Sequence, residues 1–296
     1  MRPARFPFGR PTWPTGVARP APVRRVGLGY DHAWSRRYPV RLARAMILDN
    51  VTRPAARMVA PTTVRGAEHL RHVKTPVIFV ANHLSHVDTP VLLTTLPVRF
   101  RHRTVVGAAA DYFFDRRWKA ALWSFSLAAI PIERARVNRE SVEAAAALLE
   151  EGWNLVLFPE GGRSPDGWAR PFHPASAAYL SHRTGCAVVP VHLHGTRDVL
   201  PKSEGERRPI RRAPVSVVFG TPIVPDPDEN VRRLADRIET AVAVLADEVS
   251  SDWWSARRRA AAGTTPSPRG PDVSAWRRSW ELGPSPEARR DAWPPG

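Results

Sequence analysis

Five short apolar runs, separated by segments with helical patterns, constrain the fold of this chain more than any other feature of its sequence. The runs consist mostly of β-branched and aromatic residues, which is the composition of buried strands. They occupy residues 76–81, 104–109, 153–158, 187–191 and 215–220. Because strands that alternate with helices fold into layered domains, the sequence predicts an α/β fold with a largely parallel sheet covered by helices.

Two of the segments between the runs carry signals for helix boundaries. Asn138 predicts the start of a helix that continues through Glu150. Asp226, followed by Pro227, predicts the start of a second helix that ends near Glu248. In open α/β sheets, ligands bind in crevices at the carboxyl ends of the strands. The segments that directly follow the apolar runs are therefore the first places to look for functional residues.

The composition divides the chain into four segments. Residues 1–30 contain six prolines, four glycines and six arginines but no acidic residue, which predicts a flexible basic arm without a packed core. Residues 31–60 have a helical pattern with interruptions, and 61–250 hold the strands and helices of the main domain. Residues 251–296 are predicted to form a flexible tail, because 261–296 contain seven prolines and four glycines.

The charge of the chain favours anionic partners. Its 44 basic and 28 acidic side chains give a net charge of +16, which suits phosphorylated substrates, nucleic acid or acidic lipid headgroups. Nucleic-acid binding is the less favoured class, because the basic residues concentrate in residues 1–60, where 12 arginines oppose two acids. A single cysteine, Cys186, excludes a disulfide framework and is compatible with a reducing compartment.

A helix within residues 31–60 is predicted to face an anionic membrane surface. Arg37, Arg41 and Arg44 fall within about 60° of one another on a helix, which gives it a basic side. A helix packed on the core is the alternative. Because the longest uncharged stretch has 13 residues and a bilayer span needs roughly 20, we expect a peripheral protein on the cytoplasmic side of the membrane.

The segment after the first run contains a histidine and a carboxylate at the end of a predicted strand. His83 falls in a turn, and Asp88 lies at the mouth of a helix that Thr89 and Pro90 are predicted to begin. Residues five apart on one helix would lie about 140° apart, but a turn between a strand and a helix can fold the carboxylate back onto the ring. Such a pair makes His83 a general base for a hydroxyl or water. A structural histidine in a polar turn is the alternative.

A metal site competes for some of the same residues. Its candidate ligands are His83, His86, Asp88, His192 and His194. The spacing fits poorly, because a metallo-hydrolase loop is expected to supply histidines at alternate positions and another after the aspartate, where this chain has Thr89. We therefore predict neither a metal nor another cofactor.

The segment after the third run has the features of an anion-binding turn. Gly161 and Gly162 can direct backbone N–H groups toward a ligand, and Arg163 can bind two phosphate oxygens at once. Arg134, after another apolar run, offers a second cation. A glycine-rich surface turn is the alternative, and a Walker loop is excluded because the Gly-Lys-Ser/Thr ending is missing.

Taken in order, four blocks of this sequence resemble the glycerolipid acyltransferases, the family that includes lysophosphatidate acyltransferase. The blocks are Asn82-His83-x4-Asp88, Ile132-Glu133-Arg134, Phe158-Pro159-Glu160-Gly161-Gly162-Arg163-Ser164 and Val188-Val189-Pro190-Val191. The resemblance implies that His83 and Asp88 are the catalytic pair of an HX4D motif. It implies an acceptor-binding set that comprises Arg134, Glu160, Gly161, Gly162, Arg163 and Ser164. Where this chain has Gly162, the family usually has threonine.

The resemblance also implies the reaction. The expected enzyme transfers a fatty acyl group from acyl-CoA or acyl carrier protein to the hydroxyl of a lysophosphatidate-like acceptor, forming phosphatidate in phospholipid biosynthesis. Direct transfer from thioester to hydroxyl needs no covalent enzyme intermediate. An O-acyltransferase for another lysolipid or an alcohol is the alternative.

Overall fold

A single seven-stranded sheet forms the centre of the protein, as shown by a computed structural model that describes residues 29–132, 139–164, 166–172, 177–201 and 209–270. The strands are β1 (Thr62–Arg65), β2 (Ile78–Ala81), β3 (Thr104–Ala109), β4 (Ala129–Ile132), β5 (Asn154–Leu157), β6 (Val188–His194) and β7 (Val215–Phe219). Their order in the sheet is β1-β7-β6-β2-β5-β3-β4, and only the β6–β7 pair is antiparallel. The predicted fold class is therefore confirmed.

Helices connect the strands and cover both faces of the sheet. They are α1 (Tyr38–Ile47), α2 (Arg53–Val59), α3 (Asp88–Thr95), α4 (Val98–Arg101), α5 (Ala110–Phe113), α6 (Arg117–Leu127), α7 (Arg139–Glu150), α8 (Ala177–Thr184), α9 (Thr196–Val199), α10 (Val231–Ser250) and α11 (Trp253–Ala261). A wider π-helical turn over Leu48–Thr52 joins α1 to α2. No helix in these ranges is long and apolar enough to cross a membrane.

Two apolar layers hold these helices on the sheet. On one face, Leu149, Leu180 and Ile238 of α7, α8 and α10 are buried against β2 and β5. On the other face, the buried side chains include Phe79 of β2 and Phe100 of α4, whose rings meet edge to face with centroids 5.6 Å apart. Removing an aromatic side chain of this kind from water contributes about 1.5 to 3 kcal/mol, so both layers stabilise the sheet from which the functional turns project.

The register of the central strands brings two distant sequence motifs together. Strand β2 lies between β6 and β5, and all four of its residues are buried. Val80 of β2 pairs with Leu157 of β5 in a parallel ladder. Because both strands end within a few residues of this pair, the turns that follow them are neighbours at the carboxyl edge of the sheet.

Three details of the fold differ from the sequence-based predictions. The edge strand β1 was not predicted, because its exposed residues form no apolar run. Helix α10 begins at Val231 rather than near Asp226, because the side chain of Asn230 accepts the N–H of Arg233 at 2.8 Å. After residue 250, where composition predicts a flexible tail, the chain forms α11, whose first turn is capped by Asp252. The segments 1–28 and 271–296, most of the predicted arm and tail, lie outside the described residues.

The helical segment before β1 has a different surface from the basic one that was predicted. Arg44 is buried and donates hydrogen bonds to the carbonyl oxygens of Ser35 and Phe125, at 2.8 Å and 3.3 Å. Burial lowers the pKa of its guanidinium to about 10. The prediction that Arg37, Arg41 and Arg44 form one exposed basic side of the helix is therefore wrong for Arg44, because its side chain is buried. The exposed apolar side chains of this segment are Tyr38, Leu42, Met46, Ile47, Val51 and Met58.

Candidate active site

The turn between β2 and α3 brings His83 and Asp88 together. Nδ1 of His83 lies 2.8 Å from Oδ2 of Asp88. Asp88 is fully buried, whereas the His83 side chain is 17% exposed. A carboxylate at Nδ1 requires the proton on that nitrogen, so Nε2 is the ring nitrogen that can accept another proton.

Asp88 also organises the backbone of this turn. Its Oδ2 accepts the N–H groups of Leu84 and Ser85, at 2.7 Å and 2.8 Å. Helix α3 begins at Asp88, so the predicted cap, Thr89, lies inside the helix. The helix start predicted from Thr89 and Pro90 is therefore wrong by two residues, because the Asp88 carboxylate folds back over the preceding turn and the helix begins at that residue.

Asn82, which directly precedes His83, ties β2 to its neighbour β6. Its side-chain nitrogen donates to the carbonyl oxygen of Leu193 at 2.8 Å, and its side-chain oxygen accepts the N–H of Leu193 at 2.7 Å. Sequence reasoning assigned no function to Asn82. The available signal was its type, because an amide at the end of a buried strand needs both a donor and an acceptor as partners.

The turn after β5 holds His83 at three places. Oε1 of Glu160 accepts the backbone N–H of His83 at 3.0 Å, and the N–H of Ser164 donates to the carbonyl oxygen of His83 at 3.0 Å. The ring of Phe158 stacks on the imidazole, with centroids 4.2 Å apart and planes inclined by 23°. The second motif therefore fixes both the backbone and the ring plane of the histidine, a function that sequence reasoning missed.

Two residues of this turn that were predicted to bind substrate are directed into the protein. Glu160 is 1% exposed, and its second oxygen, Oε2, accepts the N–H of Arg170 at 3.1 Å. The hydroxyl of the buried Ser164 donates to Asp166 at 3.0 Å and accepts the N–H of Gly167 at 2.8 Å. Both side chains have partners within the protein, so the geometry favours a positioning role for them.

The electrostatics of Glu160 reflect its burial. Loss of water raises the pKa of this carboxyl to about 7, although the two backbone N–H groups that it accepts act in the opposite direction. At neutral pH the group is therefore divided between its acid and carboxylate forms.

The remaining part of the turn is accessible. Gly161, Gly162 and Arg163 are partly exposed, and Gly161 has a φ of +64° that an L side chain rarely adopts. Burial lowers the pKa of His86 to about 4, and the charge of Arg163 is the second cause. The guanidinium of Arg163 therefore lies close to the turn that carries His83. A cation close to the turn that carries a general base can hold an anionic substrate near that base.

The other predicted candidates lie elsewhere. Arg134 belongs to residues 133–138, which are outside the described part of the chain. His192 and His194 lie on β6 with ring centroids 6.4 Å apart, and burial lowers the pKa of His192 to about 3. Among the described residues, no three His, Cys, Asp or Glu side chains are placed to hold a metal ion.

Comparison with known proteins identifies the domain that contains both turns. Residues 61–194 match the family model described as Acyltransferase. The 1-acyl-sn-glycerol-3-phosphate acyltransferase BAT2 of Brassica napus is 28% identical over 165 residues, which are 55% of this chain and 45% of that protein. The 1-acyl-sn-glycerol-3-phosphate acyltransferase LPAT1 of Arabidopsis thaliana is 29% identical over 163 residues, which are 54% of this chain and 43% of that protein. The domain over residues 61–194 is therefore an acyltransferase domain similar to those of glycerolipid acyltransferases.

The fold agrees with that of a solved acyltransferase. The crystal structure of the 1-acyl-sn-glycerophosphate acyltransferase PlsC from Thermotoga maritima superimposes with a TM-score of 0.56 and 23% identity, covering 77% of this chain and 87% of that one. This similarity agrees with the predicted fold class. The matched regions span less than half of the length of the two plant acyltransferases.

Proposed function

We propose that this acyltransferase moves a fatty acyl group from acyl-CoA or acyl carrier protein to the hydroxyl of a lysophosphatidate-like acceptor, which yields phosphatidate. The observation that carries the proposal is the 2.8 Å contact between Nδ1 of His83 and Oδ2 of Asp88 at the carboxyl edge of the sheet. The names of the plant relatives, which specify 1-acyl-sn-glycerol-3-phosphate as acceptor, support this choice over another lysolipid or an alcohol.

In the proposed reaction His83 moves one proton twice. Nε2 takes the proton of the acceptor hydroxyl while the hydroxyl oxygen forms a bond to the thioester carbonyl carbon. Asp88 stabilises the resulting imidazolium. When the tetrahedral intermediate collapses, the C–S bond breaks and the departing sulfur receives the proton from Nε2, which leaves an ester and a free thiol. General-base assistance of this kind contributes typically about 100- to 10,000-fold to the rate.

Arg163 is the proposed ligand for the acceptor phosphate. Its planar guanidinium can donate two parallel hydrogen bonds to phosphate oxygens, and its charge lies close to His86 on the same turn as His83. We include the N–H groups of Gly161 and Gly162 and the side chain of Arg134 in this site. Glu160 and Ser164, which the family resemblance assigned to substrate binding, are proposed to position the turn instead.

Turnover with a panel of acceptors tests this proposal. Purified protein is given a labelled acyl-CoA or acyl carrier protein, and the products formed from lysophosphatidate, other lysolipids and neutral alcohols are resolved by mass spectrometry. Replacing Arg163 with lysine keeps the positive charge but removes the bidentate hydrogen bonding to phosphate. We therefore expect the acceptor KM to rise on the order of tenfold with an unchanged donor KM. Equal turnover of a phosphate-free alcohol would contradict the phosphate site.

We also propose that the protein binds anionic membranes peripherally, on the cytoplasmic side, through α1, α2 and the neighbouring α6. Tyr38, Leu42 and Met46 are exposed at four-residue spacing, so they share one side of α1. Trp118 and Leu122 are exposed on α6, which packs against α1. An apolar surface of this kind, flanked by the exposed Arg37, suits the boundary between headgroups and acyl chains.

Flotation with anionic vesicles tests the membrane surface. The double variant Leu42→Asp/Met46→Asp places two charges on it, and we expect the bound fraction to fall on the order of tenfold or more. Val224→Asp is the control, because Val224 is also apolar and exposed but follows β7 and belongs to none of the helices α1, α2 and α6. Equal binding by the double variant and the wild type would reject the surface.

A further inference from the structure

The chain beyond α11 returns to the active-site edge of the sheet, although it lies outside the residues that match the family model. Residues 264–270, called here the strap, contact the segment that follows the Gly-Gly turn. The carbonyl oxygen of Pro268 accepts the N–H of Ala169 at 2.9 Å. Gly270 packs so closely on Trp168 that an ideal Cβ would lie 2.7 Å from Cγ and Cε2 of the indole.

A charged contact anchors the strap beside this segment. Arg269 forms an ion pair with Glu239 of α10. Glu239 lines a small crevice together with Pro159 and Phe172, which lie on the two sides of the Gly-Gly turn. The strap is thus attached to both α10 and the segment 166–172.

The segment that the strap holds is connected to the catalytic histidine through two hydrogen bonds. Arg170, the residue after Ala169, donates its N–H to Oε2 of Glu160 at 3.1 Å. The other oxygen of Glu160 accepts the N–H of His83 at 3.0 Å. A displacement of the strap should therefore shift Arg163 through the backbone that joins it to this segment. It should also shift His83 through the carboxylate of Glu160.

From these contacts we infer that the strap positions the acceptor-binding turn, with Trp168, Pro268 and Gly270 as positioning residues of the reaction. The inference rests on the proposed function for its kinetic consequences. In the sequence, Arg163 lies between Glu160 and the segment 166–172 that the strap holds. A displacement of the strap should therefore affect acceptor binding more than donor binding, provided that the donor does not bind to this turn. Catalytic geometry is sensitive to such shifts, because a misplacement of 1 Å can cost about 100-fold in rate.

The chain offers a matched pair of glycines for the test. Gly270 and Gly263 have nearly the same left-handed backbone, with φ of +71° and +67°, but nothing lies within 4 Å of a Cβ on Gly263. Replacing either by alanine introduces the same backbone strain, and only Gly270→Ala collides with Trp168. We expect Gly270→Ala to raise the acceptor KM on the order of tenfold relative to Gly263→Ala, with the donor KM changed less than about twofold.

A second measurement is independent of activity. Hydrogen exchange, followed by mass spectrometry, reports on the amides of Ala169 and Arg170 in peptides that cover residues 166–172. We expect these amides to exchange on the order of tenfold faster in Gly270→Ala than in Gly263→Ala. In a Trp168→Ala background the collision is absent, so Gly270→Ala should have little further effect on either readout.

The outcomes separate the strap from the proposed function. Identical exchange and acceptor KM in the two alanine variants would overturn the inference. An equal rise in both substrate constants together with a large drop in Tm would also overturn it, because it would indicate a merely structural strap. A wild-type protein that transfers no acyl group to any acceptor would reject the proposed function, while the exchange experiment would still decide whether the strap holds the segment.

Discussion

The turns after β2 and β5 are neighbours in the sheet, yet they use their polar groups in opposite ways. In the first turn, residues 82–88, a buried carboxylate orients one ring nitrogen of His83 and leaves the other for chemistry. In the second, residues 158–164, the side chain of Glu160 and the backbone N–H of Ser164 bind the backbone of the first turn, and Arg163 is left partly exposed. One motif carries the reactive group, and most of the other holds it in place.

The difference has a physical reason. A histidine in a surface turn has two rotatable side-chain bonds and an unconstrained backbone, and ordering these groups costs conformational entropy. Folding supplies that order in advance when a second element fixes the backbone N–H, the carbonyl and the ring plane. Because β2 and β5 pair in register, the second turn is the element nearest to the first. A motif residue that never touches substrate can therefore still be needed for the reaction.

The largest expected effect comes from breaking the first turn. His83→Ala removes the general base, so we expect kcat to fall about 100- to 10,000-fold with little change in Tm. Asp88→Asn keeps the size of the side chain but loses the charge that stabilises imidazolium, and it should lower kcat more than it raises either KM. His86→Ala is the control and should be much milder. Near-normal turnover in His83→Ala would reject the mechanism.

Much of the fold could be predicted because its central strands are buried on both sides. The five apolar runs correspond to β2, β3, β5, β6 and β7. Edge strands are less visible in a sequence. Strand β1 is largely exposed, and β4, at the other edge, contains Pro131, a residue that edge strands tolerate because their outer N–H groups need no ladder partner.

The sequence predicted which residue types carry the chemistry of the site, but not how the two motifs contact each other. A histidine and an aspartate at a strand end indicated general-base chemistry, and their spacing allowed the contact that the structure shows. The assignment of Glu160 to substrate could not be tested by spacing, because one of its partners is the backbone N–H of His83, 77 positions away in the sequence. Contacts between two motifs depend on strand register, which is a property of the whole sheet.

The next largest effect concerns the buried carboxyl of the second turn. Its pKa is about 7 in the folded protein against an ordinary value of 4.5. Because the folded state holds the proton more tightly, the stability that this group contributes is present below pH 4.5 and is lost as pH rises through about 7. Relative to Glu160→Gln, which does not titrate, the wild type should lose on the order of 3 kcal/mol of unfolding free energy over this range.

Urea unfolding of both proteins between pH 4.5 and 8 measures this loss. The glutamine variant also presents an amide where a backbone N–H expects an oxygen, so its stability should be lower at acidic pH, and the gap should narrow as pH rises. Parallel stability curves would show that Glu160 is not held as a buried acid.

A smaller effect is expected from the ring that stacks on His83. Phe158→Leu keeps the apolar character of the side chain but removes the flat face that lies 4.2 Å from the imidazole. Aromatic stacking contributes about 0.5 to 1.5 kcal/mol, so kcat should fall roughly two- to tenfold while the acceptor KM stays nearly constant. Phe158→Tyr preserves the face and serves as control. A rise in acceptor KM without a change in kcat would place Phe158 in substrate binding instead of in the support of the histidine.

The smallest effect separates the two glycines of the second turn. Gly161 has a φ of +64°, whereas Gly162 does not have a left-handed backbone, although both were predicted to direct N–H groups toward a ligand. Gly161→Ala should therefore cost about 1 kcal/mol of unfolding free energy and tilt the N–H groups beside Arg163, which raises the acceptor KM modestly. Gly162→Ala should change stability by less than about 0.5 kcal/mol, because no strained conformation is imposed on the new side chain. Thermal unfolding and acceptor kinetics of the two variants, measured side by side, decide the point. Equal losses in both would mean that the close approach of neighbouring atoms, and not the left-handed backbone, is what requires glycine in this turn.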